Sequence, residues 1–186
     1  MLSFWRKFKK SKQEAILIQP ELRNVDLKRF GAPSQFVKNI GKINELGARV
    51  ENTDAAYFYI PMILNYQILQ GKHVVPIYCE GESFYVLVHS GSEGRIIFFE
   101  LENDEVYRDY CLNWGLLQMD ILFQYFDDNA EKGVDLKVFL EIAQQLGFEK
   151  GEELYKKLNI TDEEYNLKFP ELENWKEEIA ISLGVT

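Results

Sequence analysis

The stretch from Val74 to Leu101 constrains the fold of this chain more than any other. It holds three runs rich in β-branched and aromatic residues: Val74 to Cys79, Phe84 to His89 and Ile96 to Leu101. Glu80, Gly81 and Glu82 form the first break, and the SGSEG segment from Ser90 to Gly94 forms the second. Gly91 and Gly94 are free to take the positive φ that tight turns require. A parallel crossover needs a dozen or more residues, so runs joined this closely must form an antiparallel meander. Pro76 has no N–H to donate and belongs at a strand start or an edge.

Helical patterns surround this core. Ser34 to Leu46 reads as a helix, with Ser34 as N-cap, Phe36, Val37, Ile40 and Ile43 on the apolar face and Gly47 at its end. Gly41 is the weak point inside it. Tyr57 to Ile60 favours a strand, Pro61 interrupts, and Met62 to Leu69 reads as either a helix or a second strand. After the meander, Asn113 can cap a helix through Phe126, carrying Leu116, Leu117, Ile121, Phe123 and Phe126 inward. Asp135 can cap another that buries Leu136, Phe139, Ile142, Ala143 and Leu146 and closes at Gly147. Thr161 and Glu164 have the spacing of a capping box. Pro170 suits the first turn of a last helix through Leu183, followed by Gly184. The expected class is α+β: an antiparallel meander packed with helices, with a helical C-terminal extension. Residues 1–26 form a basic N-terminal segment, 27–128 the α+β domain, and 129–186 an acidic helical extension of it.

Composition narrows the function. With 46% apolar residues in 186, the chain can bury a core without a metal or disulfide staple. Cys79 and Cys111 are therefore expected as buried free thiols. A net charge of −9 speaks against nucleic acid as a partner and favours attraction to a basic surface. No apolar run reaches the ~20 residues of a membrane span, and no signal-type apolar region opens the chain. The cytoplasm is the expected compartment. The first twelve residues stand apart, with Phe4, Trp5 and Phe8 at helical spacing among Arg6, Lys7, Lys9, Lys10 and Lys12. They suit either a short interfacial membrane helix or a first helix packed on the domain.

The motifs of catalysis are missing. Cys79, His89 and Cys111 match no structural zinc spacing and lack a fourth ligand. There is no G-x-S-x-G, and SGSEG lacks the Lys and Ser or Thr of a phosphate loop. Counting an EF-hand from Asp127 puts Lys132 where glycine belongs and Val138 where the bidentate glutamate belongs. The acids from Glu149 to Glu178 alternate with lysines as on wet helix faces. One cluster fits partner binding: Glu100, Glu102, Asp104, Glu105 and Asp109 around Tyr107, a residue type that commonly anchors interfaces. No catalytic residue, metal ligand or cofactor is expected.

The run VVPIYCEGESFYVLVHSGSEGRIIFFELENDE resembles the middle of the SMI1/KNR4 (SUKH) superfamily. Val75, Pro76 and Ile77 are similar to its apolar-Pro-apolar strand entry. Gly81 is similar to its turn, Phe84 to Val88 to the next strand, Arg95 to Glu100 to the last, and Trp114 to Phe126 to its closing helix. Gly31, Ala32, Pro33 and Phe36 resemble its upstream step. The resemblance spans roughly Leu27 to Asp128; the chain lacks the Asn-Gly-Gly and Gly-Gly-Asp segments common there. It implies an α+β fold without enzyme activity, and a bacterial immunity protein that neutralises a toxin by covering its basic surface. The rival expectations are a peripheral membrane protein held by the N-terminal segment, and an enzyme using scattered carboxylates with His73 or His89.

Overall fold

In the computed structural model, which describes residues 14–49 and 53–185, five strands form one sheet. They are β1 (Ile16–Leu17), β2 (His73–Glu80), β3 (Ser83–Ser90), β4 (Glu93–Glu100) and β5 (Arg108–Asp109), in that spatial order. β2, β3 and β4 are the meander, with Ser83 opposite Glu80 and Glu93 opposite Ser90 across the two turns. β1 runs parallel to β2, so the sheet is mixed rather than purely antiparallel. The basic-aromatic residues 1–12 lie outside the described residues.

Both faces of the sheet are covered. In β3, Phe84, Val86 and Val88 face one cluster while Leu87 and Tyr85 face the other, the alternation that pleating imposes. The first cluster is closed by α3 (Thr53–Ile63) and the turn carrying Leu69. The second is a thicker helical layer. It contains α1 (Pro20–Arg29), α2 (Ser34–Asn39), α4 (Trp114–Asn129), α5 (Leu136–Leu146), α6 (Gly151–Leu158) and α8 (Leu172–Leu183). α7 (Asp162–Lys168) precedes α8 and sends Tyr165 into the same layer. Helices on both sides of residue 128 share this core. β1 and most of α1 lie upstream of residue 27, so the folded unit starts before that position.

A bulge between Pro76 and Tyr78 resets the phase of β2. Val75, Ile77 and Tyr78 all enter the helical layer, and Cys79 turns to the α3 side. β1 pairs with β2 only as far as Val74, and beyond it the buried guanidinium of Arg23 supplies the donors. Its Nε donates to the Pro76 carbonyl and its Nη2 to the Ile77 carbonyl, each at 2.7 Å. Thr53 Oγ1 also reaches the Ile77 carbonyl, at 3.3 Å.

Most helix signals hold. Asn113 caps α4 by accepting from Leu116 N–H, and Asp135 caps α5 by accepting from Val138 N–H. Gly147 ends α5 at φ 78°. Thr161 and Glu164 form the reciprocal capping box. Several expectations need correction. Leu136, expected inside α5, is 41% exposed, and Pro170 lies in a 3-10 turn, Phe169–Glu171, ahead of α8 rather than in its first turn. Tyr57 to Ile60 is helical, because Ala56, Ile60 and Ile63 are buried at helical spacing while Phe58 is 71% exposed. The helix from Ser34 stops at Asn39, where Gly41 turns the chain at φ 81°; a 3-10 turn, Asn44–Arg49, follows. Pro33 holds the N-cap position, and Ser34 makes no capping bond. Cys111 is exposed, at φ 53° in a turn, whereas Cys79 is buried; neither is in a disulfide.

Candidate functional site: the acidic and aromatic end of the sheet

The bulge that turns Tyr78 toward the helical layer places it opposite Tyr85, which lies opposite Phe98. The rings stack in a row, with centroids 4.3 Å apart from Tyr78 to Tyr85 and 4.8 Å from Tyr85 to Phe98. Tyr107, arriving from the connection after β4, adds a fourth ring 5.9 Å from Phe98. Two residues further along each strand the same face carries Glu80 opposite Ser83, and Ser83 opposite Glu100. A row of rings thus lies beside a row bearing carboxylates, at the end of the sheet where the 101–107 connection leaves it.

That connection is held at many points. Leu101 N–H donates to the Glu82 carbonyl at 2.8 Å, and Tyr66 Oη–H donates to the Leu101 carbonyl. Asp104 accepts the N–H groups of Gln67 and Ile68, at 2.7 and 3.1 Å. Tyr107 N–H donates to the Phe98 carbonyl at 2.9 Å, and Asn103 Nδ2 donates to the Tyr107 hydroxyl. The predicted binding cluster therefore divides. Asp104 caps a neighbouring turn. Asp109 pairs with Arg95 and accepts Cys111 N–H at 2.8 Å. Glu102, Glu105 and Tyr107 are exposed, and Glu100 is half-buried.

Beneath the ring row lies a buried acid that the sequence reading passed over. Asp120 of α4 accepts the Tyr110 hydroxyl at 2.9 Å and Arg108 Nη1 at 3.0 Å, both on Oδ2. Arg108 also reaches Glu173 of α8 at 2.7 Å, and Lys176 Nζ lies 3.1 Å from the other Glu173 oxygen. Asp120 Oδ1 is buried and has no partner among the described residues. Burial raises the Asp120 pKa, against the opposing fields of Arg108 and Lys176. Burial also pushes the phenols of Tyr78 and Tyr110 up, and Tyr78 shares a hydrogen bond with Tyr85. A cavity of about 60 Å³ lies between Asp120, Tyr78, Tyr85, Glu80, Gln124 and Lys176. Asp120 stands alone among Met119, Ile121 and Leu122, and a lone acid in an apolar helical run was the available signal.

The other candidates do not assemble. His73 and His89 stack in parallel 4.9 Å apart where β2 and β3 pair, with Phe30 on the far side of His89. Burial lowers the His89 pKa despite Asp26 at 3.8 Å. Cys79 lies in the α3-side core, while Cys111 is exposed in the turn before α4. Among the described residues no three His, Cys, Asp or Glu side chains are placed to hold a metal, and no helix is long and apolar enough to cross a membrane. No family model, curated protein or solved structure matches the chain.

Proposed function

We propose that this chain is a non-catalytic protein-binding module that covers a basic surface on its partner. One observation carries the reading. The pinned 101–107 connection presents Val106 and Tyr107, 41% and 49% exposed, directly after the exposed carboxylates of Glu102 and Glu105. An exposed valine and tyrosine beside acids offer an anchor with a steering field next to it. The connection's hydrogen bonds to the β2–β3 turn, β4 and the Gln67 turn set its shape before any partner arrives, which lowers the ordering cost of association. The resemblance to the SMI1/KNR4 superfamily supplies the partner class: a cationic nuclease or deaminase toxin domain, neutralised in the cytoplasm by occlusion of its nucleic-acid site. A meander closed by a helix, with an acidic connection after the last strand, supports that reading.

The test is association kinetics against a panel of such toxin domains at low and high salt. The association rate should fall with added salt and with the double change Glu102→Lys and Glu105→Lys. Tyr107→Ala should speed dissociation and weaken binding by about 2 kcal/mol, roughly 30-fold. Binding that ignores salt, charge reversal and Tyr107 would refute the proposal.

A further inference from the structure

We propose that the cleft where α4 and α6 end and α7 begins receives one arginine side chain from a protein partner. The cleft goes beyond the Tyr107 surface and uses no part of it, since residues 126–166 supply its whole lining. Its volume is about 480 Å³, within the roughly 300–1,000 Å³ usual for ligand pockets. The half-buried Phe126, Val134, Ile160 and Tyr165, with the buried Leu158, give it apolar walls. Every charged residue that lines it is an acid: Asp127, Glu131 and Asp162. Asp127 accepts the Tyr165 hydroxyl and so ties α4 to α7 across the cleft. Glu131 and Asp162 are exposed, so a ligand can reach them, and neither has an ion-pair partner among the described residues.

The helices add to this negative field. α4 ends at the cleft through Phe126 and Asp127, and α6 through Leu158. A helix C-terminus carries partial negative charge, and α4 has no basic residue in its last turn to offset it. α6 has Lys156 and Lys157 there, and Lys132 follows Glu131, but none of these lysines lines the cleft. The N-terminus of α7 opposes the field, and its own first turn carries Asp162, Glu163 and Glu164. The combination selects a cation on an apolar stem. Arginine meets both demands: its methylenes pack on the walls, and its flat, weakly hydrated guanidinium can lie against an aromatic ring while its five donors reach more than one carboxylate. Phe169, 55% exposed, packs on Tyr165 with ring centroids 5.8 Å apart and continues the apolar surface past the cleft. That surface fits the residues beside an arginine in a polypeptide. It does not fit free arginine, whose own carboxylate the three acids repel.

The experiment is a titration of the full chain with the capped peptide acetyl-Leu-Arg-Leu-amide. Binding is followed in ¹H–¹⁵N spectra through the side-chain amides of Asn159 and Asn166, which line the cleft. Saturable shifts are expected with this peptide and none with its citrulline counterpart, which keeps the shape and loses the charge. The double change Glu131→Gln and Asp162→Asn should weaken binding about 5-fold, the effect of two exposed ion pairs. Ala130→Trp, at an exposed αR position in the lining, fills the cleft and should abolish binding with the thermal midpoint unchanged. Equal affinity for acetyl-Leu-Lys-Leu-amide would overturn the arginine assignment. Tighter binding of free arginine than of the peptide would make a small metabolite the ligand and overturn the protein partner. No shifts, or the same shifts with the citrulline peptide, would overturn the site and leave the Tyr107 surface standing, because Tyr107→Ala does not touch this cleft.

Discussion

Replacing Arg23 tests the account of how β2 survives a bulge in the middle of the sheet. Arg23→Met keeps an apolar stem of similar length and removes both donors. The Pro76 carbonyl then loses its 2.7 Å bond, and the Ile77 carbonyl keeps only the longer contact from Thr53. A buried carbonyl left unpaired costs about 1–3 kcal/mol. One fully orphaned and one partly orphaned carbonyl therefore predict a loss of about 2–4 kcal/mol. Part is returned, because the guanidinium itself is desolvated, as its lowered pKa shows. Arg23→Lys separates the two effects: it keeps the charge but cannot span two carbonyls. Urea unfolding should show both variants shifted to lower midpoint with unchanged slope, the Met variant by about 0.5–1.5 M at a slope of roughly 2 kcal/mol/M once the returned part is taken off. A Met variant within about 0.5 kcal/mol of the parent would show that β2 does not depend on this side chain.

Three further outcomes follow from the geometry. Asp120 has a folded pKa raised by burial, so its contribution to stability is present below its unfolded pKa and is lost as pH rises through the folded value. The thermal midpoint of Asp120→Asn should therefore gain on the parent as pH rises above about 4, the unfolded value, and a constant difference would contradict it. Gly94→Ala would put a Cβ 2.8 Å from two atoms of the Phe30 ring, which packs at a tilt against His89. It should cost about 1–3 kcal/mol in urea unfolding. Asp104→Ala removes the acceptor for Gln67 and Ile68 N–H. Faster amide exchange in those two residues and in 101–107 should accompany weaker association with the proposed partner, although Glu102, Glu105 and Tyr107 are untouched.

The meander was legible because its turns are too short for any alternative, and the cap residues of α4, α5 and α7 because their hydrogen bonds are local. What escaped depended on distant partners. β1 and β5 have two residues each and no period to read. α1 shows no apolar stripe, since its buried positions are Arg23 and Leu27, and Arg23 is buried only because a bulged strand needs its donors. In α3 the β-prone Tyr57–Ile60 hid the helical spacing of Ala56, Ile60 and Ile63. Of the candidate site, the exposed acids and Tyr107 were readable as composition. The ring row was not, because an unbulged β2 would turn Tyr78 to the opposite face and leave Tyr85 without its neighbour.

The two outer strands carry a consequence for how anything can dock here. β2 is flanked by the short β1 and then by Arg23, and β4 by β5 and the backbone bonds of Tyr107, Tyr110 and Cys111. Among the described residues neither margin offers a long backbone ladder for a foreign strand to extend. A partner must recognise side chains, so point substitutions can retune specificity without disturbing the sheet. An extended peptide would find little to zip onto at either margin.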